Sequence, residues 1–179
     1  MVGKRAYFMR TDRVLFSTWT PEDLSLAQVL WGDPGVTRYI CESGRFAPEE
    51  IEARLETEIR RQTESGAQYW PIFAAEFAAE DEGFLGCCGL RPWPDDESAW
   101  ELGVHLLPAH WGKGLAPEAA RASMAYAFDT LGADRVYAGH HPDNAASAKV
   151  LTRLGFTYMM DSFYAPTGLY HPAYVIDRR

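Results

Sequence analysis

The chain has 179 residues, 47% apolar and 23% charged, with a net charge of −8. That is enough for one domain with a full core, too apolar for intrinsic disorder, and of the wrong sign for a surface that tracks nucleic-acid phosphates. The acidic balance mildly suits a cationic partner, or reflects nothing beyond solubility.

The N-terminal MVGKRAYFMR lacks the apolar stretch of a signal peptide, and no run of about 18 apolar residues occurs, so neither export nor a membrane span is expected. Cysteines number three, and Cys87 and Cys88 are strand neighbours that face opposite ways. A disulfide framework is therefore not expected, and a reducing cytoplasm fits best.

Residues 1–12 read as a loose or edge segment and 13–19 (RVLFSTW) as a first strand. Thr20-Pro21-Glu22-Asp23 opens a helix that runs to about Leu30 and stops at Gly32-Asp33-Pro34-Gly35. Residues 48–64 form a second helix with Ile51, Leu55 and Ile59 in one apolar stripe and a solvated charged face. Strands follow at 69–77, 84–93 and 99–107, with a hairpin loop at 78–83 and a turn at 94–98, which together predict an antiparallel meander. A helix at 117–131 leads to a strand at 135–140, a crossover that makes the flanking strands parallel. A helix at 145–154 ends at Gly155, and strands at 156–164 and 171–177, joined by the loop Ala165-Pro166-Thr167-Gly168, complete the chain. No linker divides it, and residues 1–179 read as one domain.

The stretch WELGVHLLPAHWGKGLAPEAARASMA, from Trp100 to Ala125, organises the rest. Two glycines, Gly112 and Gly114, stand between a strand and a helix start. Glycines allow a tight turn and close approach of a ligand to backbone N–H groups, and the helix adds unpaired N–H groups and the positive end of its dipole. Strand, glycine turn and helix N-terminus form a pocket for a phosphate-bearing ligand.

Three pieces, ELGVHLL at 101–107, WGKGLAPEA at 111–119 and NAASAKVLTRLGF at 144–156, together with the element order, resemble the GNAT superfamily of acetyl-CoA-dependent N-acetyltransferases. Within it they are similar to the ribosomal-protein N-terminal (Rim-type) acetyltransferase branch. Trp111 stands where the general superfamily turn has Gln or Arg, a departure familiar in that branch. The resemblance implies an α+β (mixed α/β) fold: a twisted, mostly antiparallel sheet of six to seven strands, about four helices, and a splayed parallel pair at the centre. It implies acetyl-CoA as cosubstrate without a metal, its diphosphate on the N–H groups of about Gly112 to Ala116 (Gly112, Lys113, Gly114, Leu115 and Ala116), with Trp111 also among the coenzyme-binding residues. Pantetheine would pair with the backbone of the strand carrying Val104 and Leu106, where an N–H polarises the acetyl carbonyl. Asn144 would lie against the coenzyme and Ser147 near the sulfur, as donor to the leaving thiolate. Helix capping by Asp143 or Asn144 is compatible with both.

Attack on a thioester needs a neutral amine, so a base is required. Glu101 leads, directly or through a water, with a structural Glu as the alternative; His105 is second, with a structural His preferred there. Tyr164 and Tyr170 are lesser proton donors. Lys113 either adds charge or is a solvated surface group, and Glu118 is expected to point away from the anion site. Trp31, Tyr39, Trp70, Tyr164 and Tyr170 are candidate walls of the acceptor cleft. Cys87 and Cys88 read as buried small hydrophobes, which favours direct transfer in a ternary complex. Adjacent His140 and His141 point apart and argue against a metal pair.

The acceptor is a small amine or a protein N-terminus, and a homodimer is common among look-alikes. A nucleotide-binding domain is disfavoured, because neither a P-loop nor a Rossmann fingerprint occurs in the right context. A non-catalytic acetyl-CoA-binding module is the remaining alternative.

Overall fold

A computed structural model describes residues 5–77 and 83–178. Its eight strands form a single sheet in the order β1-β2-β3-β4-β5-β6-β8-β7. The strands are β1 (Met9–Arg10), β2 (Val14–Phe16), β3 (Tyr69–Ala74), β4 (Phe84–Pro92), β5 (Ala99–Leu106), β6 (Arg135–Gly139), β7 (Thr157–Tyr164) and β8 (Leu169–Asp177). The α-helices are α1 (Leu24–Trp31), α2 (Pro34–Thr37), α3 (Pro48–Ser65), α4 (Leu115–Asp129) and α5 (Ala145–Leu154). Every strand pairing is antiparallel except β5 with β6. The meander is thus β3-β4-β5, and the crossover is β5-α4-β6.

The architecture matches the expected mixed fold, with local differences. The strand count rises to eight because the edge segment pairs with β2 through Met9 and Arg10. The first helix is split: Pro21–Asp23 make a 3-10 turn, and the α-helical ladder starts only at Leu24. Asp33-Pro34-Gly35, read as a stop, also starts a new turn, since the Asp33 carboxylate caps α2 by accepting the Gly35 N–H at 2.7 Å. The expected hairpin loop at 78–83 lies, Gly83 apart, outside the described residues.

Packing divides between the two sheet faces. α4 and α5 cover one face over Trp70, Cys88, Leu102, Leu106 and Val136. α1 and α3 cover the other over Trp19, Trp31, Leu55, Tyr69 and Cys87. Burying each such large apolar side chain contributes on the order of 1.5–3 kcal/mol. Cys87 and Cys88 fall on opposite faces as strand alternation requires, Cys88 Sγ lying 3.3 Å from Ser123 Oγ of α4. The charged face of α3 is not wholly solvated. Glu58 is buried, accepts the Tyr69 N–H at 2.8 Å and pairs with Arg61 at 2.6 Å.

Candidate active site

The site is the place where the sheet opens. β5 and β6 pair at only three positions, Ala99–Arg135, Trp100–Val136 and Glu101–Tyr137. Beyond Glu101, β5 runs on to Leu106 and β6 to Gly139 without pairing to each other. Leu107 donates its N–H to Leu85 O on the β4 side at 3.0 Å. Backbone groups alternate along a strand, so the N–H groups of Val104 and Leu106 face the gap. The Leu106 carbonyl does turn away from β4, accepting from Trp111 Nε1 at 2.7 Å.

The glycine turn lies at the mouth of this gap. Gly112 and Gly114 hold φ of 72° and 76°, a region that side chains disfavour, and Gly114 is the N-cap of α4. A Cβ at Gly112 would meet nothing within 4 Å, so that backbone faces open space. Because Gly114 caps it, α4 begins at Leu115, two residues earlier than its sequence pattern indicates. Arg13 fixes the turn from outside: it donates to Lys113 O at 2.9 Å and to Gly114 O at 3.4 Å. Glu118 points away from the turn's open side. It accepts from Thr11 Oγ1 at 2.6 Å and from Arg13 Nε at 2.7 Å. Burial would raise its pKa, but these hydrogen bonds and the Arg13 charge bring it below the ordinary glutamate value.

Around the gap is a cavity of about 960 Å³ whose lining includes Glu101, Val104, Leu106, Trp111, Gly112, Gly114, Leu115, Ala116, Asn144 and Ser147. Of the expected coenzyme-binding residues, Lys113 alone is absent from that lining, although its neighbours on both sides belong to it. Asn144 is the N-cap of α5, accepting the Ser147 N–H at 3.1 Å. Glu101 is held across the sheet by its register partner Arg91, whose Nε donates to Oε2 at 2.6 Å. Its Oε1 and the Ser147 hydroxyl have no hydrogen bond among the described residues.

His105 has a structural setting. Its Nδ1 accepts from Trp31 Nε1 at 3.3 Å and lies 3.6 Å from Cys87 Sγ. Burial pushes its pKa down to about 3, with the charges of Arg54 and Arg91 acting the same way. A neutral imidazole with so low a pKa is a poor base at neutral pH. Burial also raises both thiols, Cys88 to about 12 and Cys87 well above the ordinary value, so neither is a ready nucleophile.

The expected wall residues separate. Tyr39 and Tyr164 line the cavity, while Trp31 is fully buried behind His105. Trp70 lies on the opposite sheet face, edge-on to Tyr126 of α4, because it alternates with Tyr69. Tyr170, 66% exposed, packs on Phe163 outside the cavity. His140 and His141 do point apart, toward Tyr174 and Tyr39. Among the described residues no group of three or more His, Cys, Asp or Glu could hold a metal ion.

Tyr69 was not legible as a site residue. Its register partner on β4 is Gly89, whose partner on β5 is Gly103. A Cβ at Gly103 would come within 2.2 Å of the Tyr69 ring, so the glycine lets that ring lie across β5. Burial keeps the Tyr69 hydroxyl protonated, and Arg91 sits over its ring at 5.3 Å. The lining charge also departs from the whole-chain balance: six Lys or Arg face the cavity against two acids, Asp95 and Glu101.

Comparison with known proteins points the same way. The profile of the acetyltransferase (GNAT) domain family matches residues 13–157. An uncharacterized N-acetyltransferase of Bacillus licheniformis, p20, is 29% identical over 146 residues, covering 82% of this chain and 80% of that protein. An acetyltransferase structure from Agrobacterium tumefaciens is similar at a TM-score of 0.78 and 22% identity, covering 98% of this chain and 99% of that one. A ribosomal L7/L12 alpha-N-protein acetyltransferase in complex with coenzyme A is similar at a TM-score of 0.75 and 16% identity, covering 96% and 98%.

Proposed function

The chain belongs to the acetyltransferase (GNAT) family and is an acyltransferase, and from that premise we propose that it moves an acetyl group directly from acetyl-CoA to a primary amine. The acceptor is a small amine or a protein N-terminus. The observation that carries this reading is the gap beyond Glu101, with two inward N–H groups and a glycine turn at its mouth.

When bound, acetyl-CoA supplies the activated acyl carbon and a thiolate leaving group. Backbone amides from Gly112 to Ala116, with the α4 N-terminus, hold its diphosphate; the Trp111 N–H is not among them, since it donates to Pro108 O at 3.2 Å. Glu101, fixed by Arg91, takes a proton from the ammonium form of the acceptor, directly or through a water. The N–H groups of Val104 and Leu106 face the pantetheine and the carbonyl oxygen, and one of them donates as that oxygen gains charge. Asn144 places Ser147 by capping α5, and the Ser147 hydroxyl donates to the departing sulfur. One N–C bond forms and one C–S bond breaks; the ammonium acceptor loses two protons, one to Glu101 and one that replaces the proton Ser147 passes to the sulfur, so that coenzyme A leaves as the thiol. The raised cysteine pKa values favour this direct route over an acyl-cysteine.

The three free cysteines suit a reducing cytoplasm. No helix among the described residues is long and apolar enough to cross a membrane. Residues 1–179 act as one domain, and self-association runs through the exposed edge strand β7. Calorimetry with acetyl-CoA, followed by thiol release over a panel of amines and N-terminal peptides, tests the function. Heat and thiol release are expected. No heat from a folded sample refutes the site, and heat without thiol release from any acceptor marks a non-catalytic binding module.

A further inference from the structure

The cavity continues into a recess of about 250 Å³ lined by Arg54, Arg61 and Arg91 together with Glu50, Ala53, Thr57 and Glu58. All three arginines also line the main cavity. Two are neutralised, Arg61 by Glu58 and Arg91 by Glu101, each at 2.6 Å. Arg54 is not. Its Nε is buried without a hydrogen-bond partner. Glu50, one turn earlier on α3, is committed elsewhere, its Oε2 accepting the Ala47 N–H at 2.7 Å.

The Arg54 guanidinium is held in place by rings. It lies 5.0 Å from the centre of Trp31 and 5.2 Å from that of Phe46. Trp31 in turn donates to His105 of β5. The cation is therefore anchored, through one indole, to the strand that borders the gap. A buried donor without an acceptor is costly, and native proteins leave few. A bound anion would satisfy this one. A planar guanidinium fork matches a carboxylate with two parallel N–H···O bonds. The remaining groups of the recess are short or already paired, which leaves the anion to Arg54.

Resting on the acetyltransfer reading above, we propose that the acceptor is an amine that also carries a carboxylate, and that Arg54 binds this carboxylate while the amino group lies at the β5–β6 gap. Free amino acids and peptides with an acidic residue near the N-terminus share this chemistry. The whole-chain charge of −8 points the opposite way, toward cationic acceptors. Within the recess three arginines face Glu50 and Glu58, and Arg91 is paired with Glu101, so it is the unpartnered Arg54 and not the summed charge that selects an anion, over a distance where screening is weak.

The test compares matched acceptors by thiol release: glycine, β-alanine, γ-aminobutyrate and a peptide beginning Asp-Ala, each beside the analogue in which the acidic group is amidated. Phosphoethanolamine is the anion control. The expected result is a kcat/KM at least tenfold higher for a carboxylate than for its amide. In Arg54→Met, which keeps the stem over Trp31 and Phe46, that ratio falls about tenfold through KM, and Arg54→Lys restores part of it. Preference within the panel separates a free amino acid from a peptide.

Equal use of acids and amides by the wild type, preference for phosphoethanolamine, or an Arg54→Met ratio equal to wild type overturns the inference and leaves acetyl transfer standing. If no acceptor is turned over, the complex with coenzyme A is titrated calorimetrically with N-acetyl-β-alanine, N-acetyl-Asp-Ala and their amides. Binding of the acids alone supports the Arg54 site without catalysis, and no difference between acid and amide removes it. The wild-type comparison needs no variant, so a poorly folding substitution does not decide the outcome.

Discussion

At the scale of single residues, Glu101 carries the sharpest test. Replacing it with Gln keeps the size of the side chain and an acceptor for Arg91 Nε but removes the base. Turnover is expected to fall by about 10²–10⁴ while calorimetry finds acetyl-CoA binding intact. Unchanged turnover would reduce Glu101 to a partner of Arg91. Gly103 is constrained differently. Its missing Cβ is the space the Tyr69 ring occupies, and Tyr69 is buried. Gly103→Ala should lower stability by about 1–3 kcal/mol in denaturant unfolding. The same change alters kcat if the Tyr69 ring shapes the acyl end of the gap. Neither role is visible from residue type, since Arg91, Tyr69 and Gly103 are apart in sequence and meet only through the β3-β4-β5 register.

At the scale of elements, the β2 entry and the glycine turn act as one unit. Arg13, in the turn before β2, holds both the Lys113 and Gly114 carbonyls and the Glu118 carboxylate. That leaves the turn's amides from Gly112 onward facing the open side, while the Trp111 N–H donates to Pro108 O. Arg13→Met should raise the KM for acetyl-CoA roughly fivefold with kcat little changed, the effect of losing partly exposed charged hydrogen bonds. A loss confined to kcat would contradict the assignment. β7 is the second element with a testable role. It lies at the sheet edge, and Tyr158, Met160 and Phe163 are each more than half exposed. An eight-residue edge with apolar side chains is a template for strand pairing. Sedimentation velocity should show concentration-dependent dimers that Met160→Lys disrupts; a monomer at all concentrations rules the edge out as an interface.

At the scale of the whole molecule, acid stability follows from histidines that folding wholly or partly withdraws from water. Burial lowers the pKa of His105 to about 3 and also lowers those of His110 and His171. The unfolded chain titrates near pH 6.5. Below that value the unfolded state binds more protons than the folded state, so stability falls as pH drops. For His105 the window runs from about pH 6.5 to the folded value near 3. The Tm should be highest near neutral pH and decline through pH 6 to 4, with a shallower decline in His105→Gln. An equal decline in the variant would assign the effect to other groups. Charge also separates across the molecule: an acidic surface encloses a cavity whose lining is cationic. Only folding gathers those cations, which are scattered from Arg38 to Arg153 along the chain.

The sequence by itself determined what depends on neighbours along the chain. Periodicity and capping located nearly every long element, the glycine pair marked the turn at the mouth of the gap, and alternation sent Cys87 and Cys88 to opposite faces. The combined motifs pointed to the acetyltransferase family. Tertiary structure decided what depends on register and close approach. It sent Trp70 and Tyr170 away from the cavity, joined Arg91 to Glu101, turned Arg13 onto the glycine turn, buried Trp31 behind His105 and left Arg54 without a paired acid. The physical reason is range. Backbone conformation and alternation are set within a few residues, whereas a side chain's partner, burial and pKa are set by whichever distant segment the sheet brings beside it.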